Sequence, residues 1–245
     1  FKNIGRADIN IYGKTLNKIK GTLKYLTSFN KIVKSKQNVA HHYDLKEDLY
    51  KLFLDQDMQY SCAYFHNENI SLEQAQIDKK KHIINKLQIT ENMNVLDIGC
   101  GWGGMAIEIA KQTGANVKGI TLSENQFATA SKRAQEEGLS DKISFKIQDY
   151  RDETHKYDRI VSVGMFEHVG IKYFKAYLKK TYDLLKENGV FLLHTIGQRG
   201  IPTATSPWIR KYIFPGGYIP SLSDIIIETQ KLNINITDIE ILRLH

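Results

Sequence analysis

The stretch VLDIGCGWGG, residues 95–104, decides the fold. A short apolar run leads directly into a loop where Gly99, Gly101 and Gly104 have the spacing G-x-G-x-x-G, and GMAIEIAKQ then takes up a helical pattern. Glycines let the backbone of such a turn come close to a ligand where Cβ atoms would clash. The turn also lies at the carboxyl end of a strand and the amino end of a helix.

Outward from this turn, strand and helix patterns alternate. Strand NVLDI (94–98) and its helix, stopped by Gly114, are followed by strand NVKGIT (116–121). Ser123 and Gln126 are spaced as a capping box for a helix ending at Gly138, and KISFKI (142–147) and YDRIVSV (157–163) read as further strands. A helix over KYFKAYLKKTYDLLKEN (172–188), with Gly189 behind it, precedes strand VFLLHTI (190–196). Upstream, DLKEDLYKLFL (44–54) and SLEQAQIDKKKHIINKL (71–87) read as helices, the second opened by Ser71 and Gln74. This alternation implies a parallel, doubly wound, Rossmann-like α/β sheet. The stretch 197–220 carries all four prolines with Trp208, Tyr212, Phe214 and Tyr218, and reads as a long loop acting as a lid over a greasy substrate.

The glycine pattern alone does not choose a cofactor. A dinucleotide site wants an acid about 20 residues on to hold the ribose, but here the second strand ends GITLS. Asp97 lies two residues before the first glycine, and this D-x-G-x-G arrangement resembles class I S-adenosylmethionine-dependent methyltransferases. The resemblance implies that Asp149, after the third strand, lies near the adenine.

Longer stretches carry a narrower resemblance. HHYDLKEDLYKLFLDQDMQYSCAYF, TLSENQ, SVGMFEHVG, and LLHTIG followed by WIRKYIFPGGYIPSL are similar to the cyclopropane fatty acid synthase family, with its mycolic acid relatives, over residues 41–222. The resemblance implies methylene transfer from S-adenosylmethionine to a cis double bond of a phospholipid acyl chain. It implies cofactor contacts by Tyr60, Ser61, Gly99, Gly101, Thr121, Leu122, Gln126, Tyr150 and Arg151. It further implies bicarbonate as the catalytic base, held by the Cys62 backbone, Glu167, His194 and Ile196.

The chemistry makes sense of an acid at the end of YDRIVSVGMFEHVG. An alkene attacking a sulfonium methyl has no proton to surrender at first, so proximity supplies most of the help. The cation that results calls for aromatic faces, for which Tyr43, Tyr60, Tyr64 and Phe65 are candidates, and for exclusion of water. A base must then take a proton so that the ring closes, and Glu167 is expected to orient it. His168 reads as a packed or solvated histidine.

Composition sets the remaining expectations. Residues 1–40 hold nine of the 34 Lys/Arg but one of the 27 Asp/Glu, leaving 25 against 26 in the rest. Leu16, Ile19, Leu23, Leu26 and Val33 form an apolar stripe among these lysines, as in a basic amphipathic helix at an anionic membrane surface. The arm (1–40) is therefore read apart from a catalytic domain over 41–245. No apolar run reaches the roughly 18 residues of a membrane span, and no nucleic-acid-binding signature accompanies the charge. A cytoplasmic enzyme at the inner membrane surface is expected. Cys62 and Cys100 have no metal-ligand or disulfide spacing, so no metal is expected.

The resemblance also exposes departures. After INITDIEIL (234–242) no sequence remains for the antiparallel strand with which such sheets normally finish, or for a tyrosine that helps hold bicarbonate. The chain reads as a fragment of a longer enzyme, expected to be poorly stable or inactive alone, with an open sheet edge that invites pairing or a homodimer. A methyltransferase acting on an amine, hydroxyl or lipid precursor, and a non-catalytic membrane-binding remnant, stay open as alternatives.

Overall fold

In the computed structural model, residues 47–200, 202–203, 205–213 and 217–242 are described. The basic arm, Tyr43 and Phe214 lie outside them. The elements are α1 (Glu47–Lys51), α2 (Leu72–Leu87), β1 (Asn94–Ile98), α3 (Gly104–Thr113), β2 (Asn116–Thr121), α4 (Glu124–Glu136) and β3 (Ile143–Ile147). They continue with β4 (Tyr157–Val163), α5 (Phe174–Leu184), β5 (Leu185–His194) and α6 (Leu222–Lys231).

All strand pairs are parallel, in the order β3-β2-β1-β4-β5. Parallel sheets covered on both faces read as nearly unbroken apolar runs. NVLDI shows why: Val95 packs with Ile83, Ile84, Leu87, Met105 and Ile109 on one face, while Leu96 and Ile98 pack with Phe166, Phe174 and Tyr177 on the other. The chain moves one way from β1 to β2 and β3, and the other way to β4 and β5. The crevice at this reversal lies between the ends of β1 and β4, where such sheets place ligands. The glycine loop and Glu167 follow those two strands.

Several expectations need correction. The helix before β5 stops at Leu184, not Asn188: Leu185 is already extended, and KENG is a bulge where the register steps from Tyr157↔Leu185 to Arg159↔Val190. Asn188 adopts φ 61°, which closes this bulge rather than a helix. The helix expected over 44–54 is described only over Glu47–Lys51. Ser71 and Ser123 accept from the N–H groups of Gln74 and Gln126, but each glutamine side chain turns elsewhere, to Asp78 and Thr121, so only half of each capping box forms. A complete box opens α6, between Ser221 and Asp224. Loop 197–220 is not without structure, since Ile209–Ile213 form a π-helical turn. Residues 234–242 add no strand, so the described sheet ends at β5. Among the described residues, no helix is long and apolar enough to cross a membrane.

Candidate active site

A cavity opens in the crevice. Tyr60, Ser61, Asp97, Gly99, Gly101, Thr121, Leu122, Gln126, Asp149, Tyr150 and Arg151 all line it. Sequence separations of up to 91 positions are closed by the topology, which delivers the ends of β1, β2, β3 and β4 to one crevice.

Each wall has a local cause. Gly99 and Gly101 adopt φ 79° and 53°, and a Cβ at Gly99 would meet Met165 Cγ at 2.8 Å. A Cβ at Gly101 would meet nothing within 4 Å, so here the backbone borders open space. Gly104 starts α3 with its Cα against Asp57 and Gln59, at 2.3 Å from where a Cβ would stand. That contact presses the segment 57–61 over the glycine loop. Thr121 Oγ1 donates to Gln126 Oε1 at 2.7 Å, joining the end of β2 to the first turn of α4. Asp149 accepts from Arg151 through N, Nε and Nη2 at 3.0, 2.8 and 2.6 Å, and the guanidinium lies 5.6 Å from the centre of the Tyr150 ring.

Asp97 is 2% exposed, and its Oδ2 has no hydrogen-bond partner among the described residues. Burial pushes its pKa from 3.8 up to about 7. A buried acceptor without a donor costs free energy until a ligand supplies one. Because the folded pKa is raised, the contribution of Asp97 to stability is fully present below pH 3.8 and is lost as pH rises through about 7. Asp97→Asn should therefore melt higher than the parent above neutral pH, by about 1–2 kcal/mol after the amide's own unmet bonds are counted. It should melt as the parent does in acid, and should bind cofactor more weakly. A calorimetric melt at both pH values and a titration with S-adenosylhomocysteine check this.

Glu167 and Ile196, joined by a hydrogen bond, and His194 at the end of β5 do not line the cavity. Glu167 stands in a single 3-10 turn (Phe166–His168), 1% exposed, with its backbone oxygen taken by Tyr218 N–H. It does not cap α5, which has no side-chain cap. Ile196 N–H donates to Glu167 Oε1 at 2.7 Å and the Thr195 hydroxyl lies close enough to favour the charged carboxylate, whereas Glu167 Oε2 makes no hydrogen bond within ordinary distance limits among the described residues. Ile196 thus holds the carboxylate, and in this arrangement its N–H is not free for an anion. Burial raises the Glu167 pKa against the bonds that lower it. His194 pairs with Val163, and its buried Nδ1 has no hydrogen-bond partner among the described residues. Burial, then the charge of Lys79, pushes its ring down to about 4, so it is neutral at pH 7. Cys62 is exposed, whereas Cys100 is buried and its thiol is pushed well up by burial and by Asp97.

The structure adds residues that the sequence reading passed over. His168 lines the cavity rather than packing away from it, as do Gln59, Trp102, Gln148 and Tyr173. His168 adjoins Glu167 in FEH, and that adjacency was the available signal. Tyr64 is turned away to stack on His82 with ring centres 4.6 Å apart, and neither it nor Phe65 lines the cavity. Among the described residues no group of side chains is set to hold a metal ion.

Comparison with known proteins decides the family. The model for mycolic acid cyclopropane synthetase matches residues 30–245. This chain belongs to that family. It is 49% identical over 184 residues to the cyclopropane-fatty-acyl-phospholipid synthase of Escherichia coli K12, covering 75% of this chain and 47% of that protein. It is 41% identical over 214 residues to a Pseudomonas putida protein named a probable fatty acid methyltransferase, covering 84% and 54%. The chain thus spans about half the length of these two relatives. Among solved structures, the Mycobacterium tuberculosis cyclopropane synthase MmaA2 superposes with TM-score 0.77 at 34% identity, covering 83% of this chain and 76% of that one. The mycolic acid cyclopropane synthase CmaA1, in a complex with SAH and CTAB, gives 0.76 at 32%, covering 83% and 76%. The synthase family accordingly has the Rossmann-like fold described here.

Proposed function

We propose that this chain transfers a methylene from S-adenosylmethionine to a cis double bond of a phospholipid acyl chain, closing a cyclopropane ring. The observation that carries the reading is the pairing of the cavity lined by the glycine loop with two buried polar atoms outside its lining, Glu167 Oε2 and His194 Nδ1, that have no hydrogen-bond partner among the described residues. Transfer of a methyl to an amine or hydroxyl also loses a proton and can use a carboxylate as base, so dependence on bicarbonate is what separates the two reactions.

The cavity fits a nucleoside bearing an amino acid. Asp97 offers an unmet acceptor, Gly101 an open backbone, and Asp149 with Arg151 and Tyr150 a fixed polar and aromatic wall. S-adenosylmethionine supplies an electrophilic sulfonium methyl when bound. Gly99, Gly101, Tyr60 and Ser61 would orient it, and the buried ring of the crevice would keep water away. As the new C–C bond forms, the S–CH3 bond breaks. The acyl chain is left with a cation that closes to the ring by losing one proton from the added methyl. Glu167 and His194 would hold bicarbonate, which supplies the proton acceptor: the carboxylate accepts from its hydroxyl and the neutral imidazole donates to an oxygen.

The lipid is reached from a membrane surface. The basic arm and the exposed Leu52, Phe53 and Trp208 support that reading. The test is mass spectrometry of cis-unsaturated phospholipid vesicles after incubation with the protein and S-adenosylmethionine, with and without bicarbonate. Acyl chains heavier by one methylene, formed only with bicarbonate, are expected. Unchanged lipid accompanied by methylated amine or hydroxyl acceptors would overturn the reading.

A further inference from the structure

Lys79 is the group that neither the cavity lining nor the Glu167–Ile196 pair uses. It is 3% exposed on α2, and its Nζ donates to Ser61 Oγ at 2.6 Å. One turn earlier on the same face, Gln76 Nε2 donates to Ser61 O at 3.0 Å and Gln59 O at 3.3 Å. The helix therefore grips the segment that lines the cavity through Gln59, Tyr60 and Ser61.

The direction of the Lys79 bond matters. An ammonium has only donors, so Ser61 Oγ is the acceptor and its own proton must point elsewhere. Accepting from a cation also makes that hydroxyl a stronger donor. Lys80 beside it is spent on Asp57 and Glu108, at 2.6 and 3.2 Å, whereas Lys79 forms no ion pair among the described residues. The titratable groups that face it are Asp55, Asp57, Lys80, Cys62 and the neutral His194. Burial holds the ammonium down to about 8, and an anion nearby would push it back up. A buried cation without a contacting anion is costly unless a ligand brings one.

We propose that Lys79 is a positioning residue that, through Ser61, sets a polarised hydroxyl donor and a positive field for the carboxylate of an amino-acid-bearing ligand in the cavity. The inference rests on the cofactor reading above and deepens it. It favours the cofactor carboxylate over the small anion beside Glu167 because Ser61 lines the cavity and Glu167 does not.

The test is calorimetric titration of the full chain with two ligands, S-adenosylhomocysteine, which carries the carboxylate, and 5′-methylthioadenosine, which lacks it. Lys79→Met, close in shape and free of charge, should weaken the first about tenfold or more and leave the second unchanged. In a Ser61→Ala background the same substitution should add little, since the effect passes through that hydroxyl. Equal weakening of both ligands would mean damage to the fold, and an unchanged affinity for S-adenosylhomocysteine would mean no role. Either overturns the proposal, as does a loss seen only when bicarbonate is added, which would place the anion at Glu167. If the parent chain binds neither ligand, the cofactor reading itself falls.

Discussion

Glu167→Gln is expected to lower the rate of methylene transfer by about a hundredfold or more while leaving the affinity for S-adenosylhomocysteine and the melting temperature near the parent's. Glutamine keeps the shape, and its Oε1 can still accept from Ile196 N–H where Glu167 Oε1 does at 2.7 Å. The other terminus then changes from an acceptor to an NH2 donor, where Glu167 Oε2 now stands without a hydrogen-bond partner among the described residues. A hydroxyl-bearing anion oriented by that oxygen loses its acceptor and turns away from the reacting methyl. Stability should not suffer, because burial already raises the Glu167 pKa, and removing the charge removes that penalty. The pH profile gives an independent check. Since the folded pKa is raised, the parent's activity should fall as pH drops through a value above the ordinary 4.5. Turnover in the variant equal to the parent's would remove Glu167 from the chemistry, and a collapsed melt would reassign it to the fold.

The contrast between β1 and the residues around β5 shows how much of this was legible. NVLDI, NVKGIT and YDRIVSV could be read to the residue because both faces of those strands are buried, and burial writes itself as an apolar run. The end of α5 could not, because LLKEN looks helical by propensity and only pairing with Tyr157 draws Leu185 into the sheet. INITDIEIL alternates like a strand, but its Ile236, Ile239 and Ile241 are exposed and no ladder takes them up.

For the site, short motifs gave the cavity wall because backbone needs are local: a glycine at positive φ announces itself. Lys79 and Gln76 gave no such signal. They sit in QIDKKKH as one lysine among three and a glutamine on a helix face, and only the fold shows which of them is buried against Ser61. His168 was read as packed or solvated for a related reason. A histidine next to a buried acid has no sequence mark that tells a lining position from a packed one.

Asp57→Ala should cost about 3 kcal/mol of stability, or a melting temperature lower by about 6–12 °C, although it changes an aspartate outside the cavity lining. Asp57 Oδ2 accepts from Lys80 Nζ at 2.6 Å and from Gln59 Nε2 at 3.0 Å, and its Oδ1 pairs with Arg133. Lys80 also reaches Glu108 at 3.2 Å, and Arg133 Nη1 donates to Trp102 O at 2.7 Å. One carboxylate therefore ties the segment before Tyr60 to α2, α3, α4 and the glycine loop. Removing it leaves Lys80, with a side chain 5% exposed, short of an anion. Breaking a buried pair by deleting one partner is far costlier than never having built it. The pH dependence has a definite sign. Burial alone would raise the Asp57 pKa, but Lys80 and Arg133 outweigh it and hold the group below 3.8. Its contribution is thus present above pH 3.8 and is lost as pH falls through the lower folded value. The gap between parent and variant should be full at neutral pH and close in acid, a convergence that a packing defect would not show. Urea unfolding of both proteins at the two pH values measures it, and a gap that persists in acid would mean that the alanine acts through lost packing rather than through lost charge.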